Sequence, residues 1–268
     1  MKVSVFTHMT NPELRNDPWR EAMECFSDIG EEVVVVGEKW PTEFKWDYIG
    51  KVFQEGFDQS RGDWVINMPI DYIIHEDDVD KIIEFLSSHA DKPAVSFPQH
   101  QFFTPDRYRV QSKLCIALNK KKFPYIKLNG GNDLCLPTIN GNRILPDSVP
   151  QINVPIWNYD KVFGTRETIS NDRARFARAW FRQFNEWGIF GGSSPEEAFN
   201  AWMLMIESRY KKHVFRANIS QHPKYLRKNL ENLNKSQFGY DAFGLKNTIK
   251  TNISEYFIAY ANKYLIKT

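Results

Sequence analysis

Short apolar runs alternate with helical stretches along residues 1–90. Lys2 to His8 reads as a first strand. Glu32 to Val36 holds four consecutive valines, which by length and β-branching predict a fully buried strand. Between them, Asn16-Asp17-Pro18-Trp19 gives a helix start with an acid cap and proline in the first turn. Trp19, Ala22, Met23 and Phe26 then recur at helical spacing, and Gly30 closes the helix. Residues 46–60 predict a second helix and Asp63 to Met68 a third strand. Asp77 to Ser88 predict a third helix, opened by acids that suit its dipole. This β-α-β-α-β-α order predicts an α/β fold with a parallel sheet covered on both faces.

Pro93 to Phe97 and Tyr108 to Leu118 predict further strands. Residues 120–165 are loop-rich, with Gly130-Gly131, Gly141 and prolines at 137, 146, 150 and 155; irregular chain of that length inside a compact domain is usually functional. Asp172 to Trp187 and Ser194 to Tyr210 predict two helices, the second opened by the capping box Ser194-Pro195-Glu196-Glu197. Residues 223–268 alternate Lys and Asn with Tyr, Phe and Leu, and predict further helix packed on the core.

Composition narrows the classes. Hydrophobic content of 42% over 268 residues supplies a core and excludes global disorder. The net charge of +2 gives no broad field for nonspecific nucleic-acid binding. Aromatics reach 15%, which large core residues explain more simply than carbohydrate stacking. Cys25, Cys115 and Cys135 show neither metal-type spacing nor an even framework, so a reducing cytosol is expected. No apolar signal region precedes Lys2, and no window reaches the roughly eighteen apolar residues of a membrane span. The expectation is a soluble cytoplasmic protein.

The most informative stretch is Gly62-Asp-Trp-Val-Ile-Asn-Met-Pro-Ile-Asp-Tyr-Ile-Ile-His-Glu76. An apolar run, Trp64 to Met68, leads to the lone carboxylate of Asp71, and ligands of α/β sheets bind where strands end. With the helix end Gln54–Arg61 before it, this passage resembles the middle of a family 2 glycosyltransferase of the GT-A fold. In that family Gly-Asp-Trp, a hydrophobic strand and an Asp-x-Asp follow a helix, and the Asp-x-Asp holds a metal and a nucleotide-sugar. Here the motif reads Pro69-Ile70-Asp71, so the last acid, usually the direct metal contact, is kept and the first is not.

The resemblance implies a Rossmann-like, mostly parallel central sheet flanked by helices, with a helical C-terminal part. It divides the chain into a nucleotide-sugar-binding core with acceptor-side loops (1–165) and a helical region packed on it (166–268). It implies transfer of a sugar from a nucleotide donor, expected UDP-linked, to an acceptor with inversion. A glycan or lipid-linked sugar is expected ahead of a modified DNA base. Asp71, His75 and Asn158 are the expected ligands of Mn²⁺ or Mg²⁺, since hard cations take oxygen donors and Asn158-Tyr159 falls where some members place His-Tyr. Thr7 and His8, at the end of the first strand, are the expected base contacts, and Arg173 a diphosphate contact.

Asp133, just past Gly130-Gly131, is the expected general base, with Asp172 its rival; either must reach the acceptor hydroxyl within hydrogen-bond distance. Each assignment has a plainer counterpart. Asp71 could cap a turn, Asp133 could belong to an ordinary Gly-Asn-Asp turn, and Asp172 could be a first-turn helix acid. Trp157 and Tyr159 could stack on a sugar or sit in the core, and Arg175, Arg178 and Arg182 could form a solvated helix face. Two other classes stay open. A nucleotidyltransferase shares the topology, but residues 9–16 lack the glycine its nucleotide loop needs; a non-catalytic nucleotide- or sugar-binding protein is kept alive by Pro69.

Overall fold

The computed structural model describes residues 1–128, 136–249 and 253–264. The strands are β1 (Val3–His8), β2 (Glu32–Val36), β3 (Trp64–Asn67), β4 (Tyr72–Ile73), β5 (Ala94–Thr104), β6 (Arg107–Asn119), β7 (Lys127–Leu128), β8 (Pro137–Ile139), β9 (Asn142–Arg143), β10 (Ile156–Asn158) and β11 (Phe215–Arg216). The helices are α1 (Trp19–Ile29), α2 (Tyr48–Gln59), α3 (Val79–Ser88), α4 (Arg166–Phe184), α5 (Pro195–Tyr210), α6 (Arg227–Glu231), α7 (Phe238–Asp241), α8 (Leu245–Thr248) and α9 (Ile253–Tyr264).

The class is α/β. A central sheet runs in the order β2-β1-β3-β6-β5-β10-β4, with β11 added on β6. β2, β1 and β3 pair in parallel, as alternation with α1 and α2 requires, because each crossover helix returns the chain to the same end. β6 runs antiparallel to both β3 and β5, and β4 antiparallel to β10; the other strands of this sheet share one direction. β7, β8 and β9 form a separate three-stranded sheet.

Both faces are covered. On one, α1 (Ala22, Cys25, Phe26, Ile29) and α3 (Ile82, Leu86) share a core with Tyr225, Leu226 and Leu230. On the other, α2 (Ile49, Val52, Phe53, Phe57) packs with Trp40, Trp46, Leu128 and Ala179. The approach of α2 to β1 is very close at Gly56, where a Cβ would stand 2.3 Å from the Phe6 ring; only glycine fits there. Three departures from the sequence expectation concern the sheet and the C-terminal region. The expected 93–97 strand continues to Thr104 as half of a long β5–β6 hairpin. The loop-rich 120–165 stretch contains β10, a strand of the main sheet. Described residues 223–249 form short helices, and Ala242, Phe243 and Gly244, which all take left-handed φ values, separate α7 from α8 because no helix continues through them.

Candidate functional site

The ends of β1 and β3, the β4 turn, β10, α4 and α5 surround a cleft of about 490 Å³. Pro69, Ile70, Asp71 and Tyr72 line it as a tight turn, closed by the Tyr72 N–H donating to the Pro69 carbonyl (2.8 Å). Asp71 is thus presented directly after the buried β3. The Tyr159 N–H donates to the Asp71 carbonyl (2.9 Å), and the Asp160 N–H donates to Asn158 Oδ1 (2.9 Å). These two bonds hold Asp160 on the same cleft as Asp71, near enough for its charge to act on the Asp71 carboxyl. Burial, then repulsion from Asp160, raises the Asp71 pKa to about 7, with Lys161 pulling the other way.

Beside this pair lies a paired network. Arg15 Nη1 donates to Asp172 Oδ1 (2.9 Å) and Arg15 Nε to Asp17 Oδ2 (2.7 Å), while Lys161 Nζ stands 2.8 Å from Asp172 Oδ2. Burial alone would raise the Asp172 pKa, but Arg15 and Lys161 overcome it and hold the carboxyl far below the usual range. With both oxygens paired to cations, Asp172 is a poor proton acceptor, and its geometry is that of an anchor. It does not open a helix either: α4 starts at Arg166, capped by a reciprocal Thr165–Thr168 box, so Asp172 lies a turn or more inside and buried.

One end of the cleft is aromatic. His8 stacks on Phe53 at 4.4 Å and tilts against Trp40 at 5.9 Å. Burial, then Arg15, lowers the His8 pKa to about 3, so its ring is neutral. His8 Nε2 and Trp40 Nε1 are buried without a hydrogen-bond partner among the described residues. Arg175 lies over the Trp40 and Phe44 rings and donates to the Pro41 and Thr42 carbonyls. Arg178 and Arg182 clamp Glu43. These three side chains fix the 41–44 segment rather than form a free solvated face. Arg173 and Arg209 also line the cleft, and neither pairs with a carboxylate among the described residues.

Several expected site residues are placed elsewhere. Thr7 is fully buried and does not line the cleft, because it faces the opposite side of β1 from His8. His75 caps the turn that follows β4, accepting from the Asp77 N–H, and its ring packs near Trp157. Its neighbour Glu76 bonds Lys224 and Arg227, away from the cleft. Asn158 lines the cleft, but its amide is spent on Gln99 Oε1 and the Asp160 N–H. Asp71, His75 and Asn158 therefore do not form one metal-ligand set, and no cluster of three His, Cys, Asp or Glu suited to a metal occurs among the described residues. Tyr159 and His222 are core groups: the Tyr159 hydroxyl and His222 Nδ1 lie 2.8 Å apart, and His222 Nε2 lies 2.8 Å from the Pro105 carbonyl. Asp133 lies outside the described residues. Asp160 and the Gln101–Gln111 floor escaped the sequence reading; the alternating polar positions of Gln99, Gln101, Arg109 and Gln111 are the signal that marks that floor.

No family model and no curated protein matches this chain. Among solved structures, the chain is similar to residues 1–349 of S. aureus TarS at 11% identity, covering 98% of this chain and 91% of that one with a TM-score of 0.38. The same TarS fragment in complex with UDP-GlcNAc matches at 11% identity and a TM-score of 0.39, over 98% and 92% of the two chains. Its complex with UDP gives 11% identity and 0.37, over 98% and 91%. Superpositions this loose carry nothing about chemistry or residue roles. No helix among the described residues is long and apolar enough to cross a membrane.

Proposed function

We propose that this chain is a glycosyltransferase of the GT-A type. It moves one sugar from a nucleotide donor, UDP-linked in the first instance, to a glycan or lipid-linked acceptor with inversion. What carries the reading is one cleft that combines an aromatic end with unmet polar atoms, two carboxylates of which one raises the pKa of the other, and arginines without counter-ions among the described residues. The His8–Trp40–Phe53 end suits a base, whose ring stacks while its polar edge meets Trp40 Nε1–H and His8 Nε2. Arg173 suits the diphosphate.

Asp71 and Asp160 fit a Mn²⁺ or Mg²⁺ of the kind held by one or two carboxylates plus substrate phosphates. The Asp160 charge adds to the larger effect of burial in raising the Asp71 pKa, and a cation would relieve that added repulsion. When bound, the ion neutralises charge on the diphosphate leaving group. In the reaction the acceptor hydroxyl attacks the anomeric carbon, the bond to the diphosphate breaks, and the hydroxyl proton passes to a base. Asp133 takes that last role on its sequence position; Asp172 instead holds Arg15 and Lys161 in place.

Calorimetry with UDP, GDP and CDP, each with and without Mn²⁺, tests the reading. Metal-dependent binding of one nucleotide, lost in Asp71→Ala, is the expected result; full binding or turnover in that variant sinks the assignment. A second reading, a binding protein without turnover, draws on Pro69 in place of the first acid. Nucleotide binding with no hydrolysis or transfer across an acceptor panel would favour it.

A further inference from the structure

The β5–β6 side of the cleft is polar where a mid-sheet face would ordinarily be apolar. Gln101 stands opposite Arg109 and Gln99 opposite Gln111, so strand alternation puts all four on one face. Gln99 and Gln101 are almost fully buried, and buried polar groups cost free energy unless they are bonded. Gln99 donates to the Ser112 carbonyl and accepts from Asn158, and Gln101 Oε1 accepts from Arg109 Nε (2.8 Å). Gln111 Oε1 is the exception: buried at the cleft wall, it has no partner among the described residues.

Over this floor the last turn of α5 delivers Arg209. The helix dipole favours a cation there, but the guanidinium lines the cleft and pairs with no carboxylate among the described residues. Burial, then the nearby Arg209 charge, draws the Arg109 pKa down to about 10. Two guanidinium groups held near each other without an anion are costly when the site is empty, and a bound anion reverses that cost. The planar fork of arginine matches a phosphate or a carboxylate.

We propose that this side of the cleft is the acceptor subsite, and that the acceptor carries an anionic group. Arg209, backed by Arg109, holds its phosphate or carboxylate, and a neighbouring hydroxyl donates to Gln111 Oε1. Calling the ligand an acceptor rests on the glycosyltransferase reading; the anion subsite does not.

The test is calorimetry on the whole chain saturated with UDP and Mn²⁺, titrated with glucose 6-phosphate, glucuronate and glucose. At least one anionic sugar is expected to bind more tightly than glucose, and comparing the two identifies the anion. Arg209→Gln and Gln111→Leu should each weaken that sugar by about tenfold or more, the loss of a charge-assisted or buried hydrogen bond. Affinity for UDP should stay within about twofold in both variants, since neither residue belongs to the donor end. Gln111→Leu removes an unpaired buried acceptor and should not unfold the protein, so it keeps the test alive if Arg209→Gln proves unstable. Equal binding of glucose and the anionic sugars, or no binding of either anion, overturns the proposal. So does an Arg209→Gln variant that loses UDP and keeps the sugar anions, which would give the arginine to the donor. Arg209-dependent binding of a sugar anion without any UDP binding would remove the donor reading and leave the subsite standing.

Discussion

Asp71→Asn separates the role of this carboxyl from mere burial of a turn residue. Moving an Asp from its ordinary 3.8 to about 7 costs the fold up to about 4 kcal/mol, at about 1.36 kcal/mol per pH unit. Asp71 is only half-buried, so solvent screening brings the expected figure nearer 2 kcal/mol. The direction follows from the raised pKa. The folded chain binds this proton more tightly than the unfolded chain, so stability is full below pH 4, falls as pH rises toward 7, and is level above that. Buried His8 and His222, with pKa values lowered to about 3 and about 4, work the opposite way, gaining stability as pH rises toward 6.5. Denaturant unfolding of the metal-free wild type and Asp71→Asn across pH 4–8 cancels those histidines in the difference. The two proteins should match near pH 4, and the variant should be about 2 kcal/mol more stable at pH 8. In parallel, Mn²⁺-dependent nucleotide binding should disappear. A variant equally or less stable at pH 8 would refute the picture of a charge-strained site.

Asp172→Asn strands Arg15 and Lys161 beside a neutral amide and should cost about 3–5 kcal/mol by thermal or denaturant melting, in contrast to the stabilising Asp71 change. In the wild type the Asp172 contribution is present above pH 4 and is lost as pH falls below that, because its folded pKa is depressed. Trp40→Ala removes the stacking wall of the base end and should weaken UDP by about 1–3 kcal/mol in calorimetry; an unchanged affinity would place the base elsewhere. Tyr159→Phe leaves His222 Nδ1 without its buried partner and should cost about 1–3 kcal/mol of stability while nucleotide affinity holds, since this pair lies outside the cleft.

The first three strands and three helices were legible because their signals are local: four valines for β2, helical spacing from Trp19 to Phe26, an acidic opening before α3. β10 was not. Three residues in a proline-rich stretch become a sheet strand only because β5 offers an edge to them, a pairing across more than fifty residues of sequence. The same distinction governs the site. Asp71 was readable from the run before it, whereas Asp160 reaches it only through the antiparallel β4–β10 pairing. Strand geometry lets only one of two adjacent residues face the cleft. Thr7 and His8 must point to opposite sides of β1, and the cleft takes His8. Trp157, Asn158 and Tyr159 divide likewise: Asn158 lines the cleft and its neighbours fill the core.

Two causes raise the Asp71 pKa, and Asp160→Asn tells them apart. Burial is the larger and survives the substitution; the Asp160 charge is the smaller and does not. The pH window in which Asp71 destabilises the fold should therefore shift downward in an Asp160→Asn background but not vanish. The Asn158 Oδ1 bond to the backbone of residue 160 is untouched, so the turn should keep its shape. Reading the same wild-type-minus-Asp71→Asn difference in that background isolates the coupling, as in any double-mutant cycle. A window that does not move would mean that the two carboxylates do not sense each other, and the case for a shared cation would fall with it. A window that collapses to the ordinary aspartate range would mean that solvent reaches Asp71 freely, so that repulsion alone raised its pKa. Only the intermediate result matches a carboxyl both desolvated by the Pro69–Tyr72 turn and faced by a like charge, the condition under which a divalent ion has most to gain by binding.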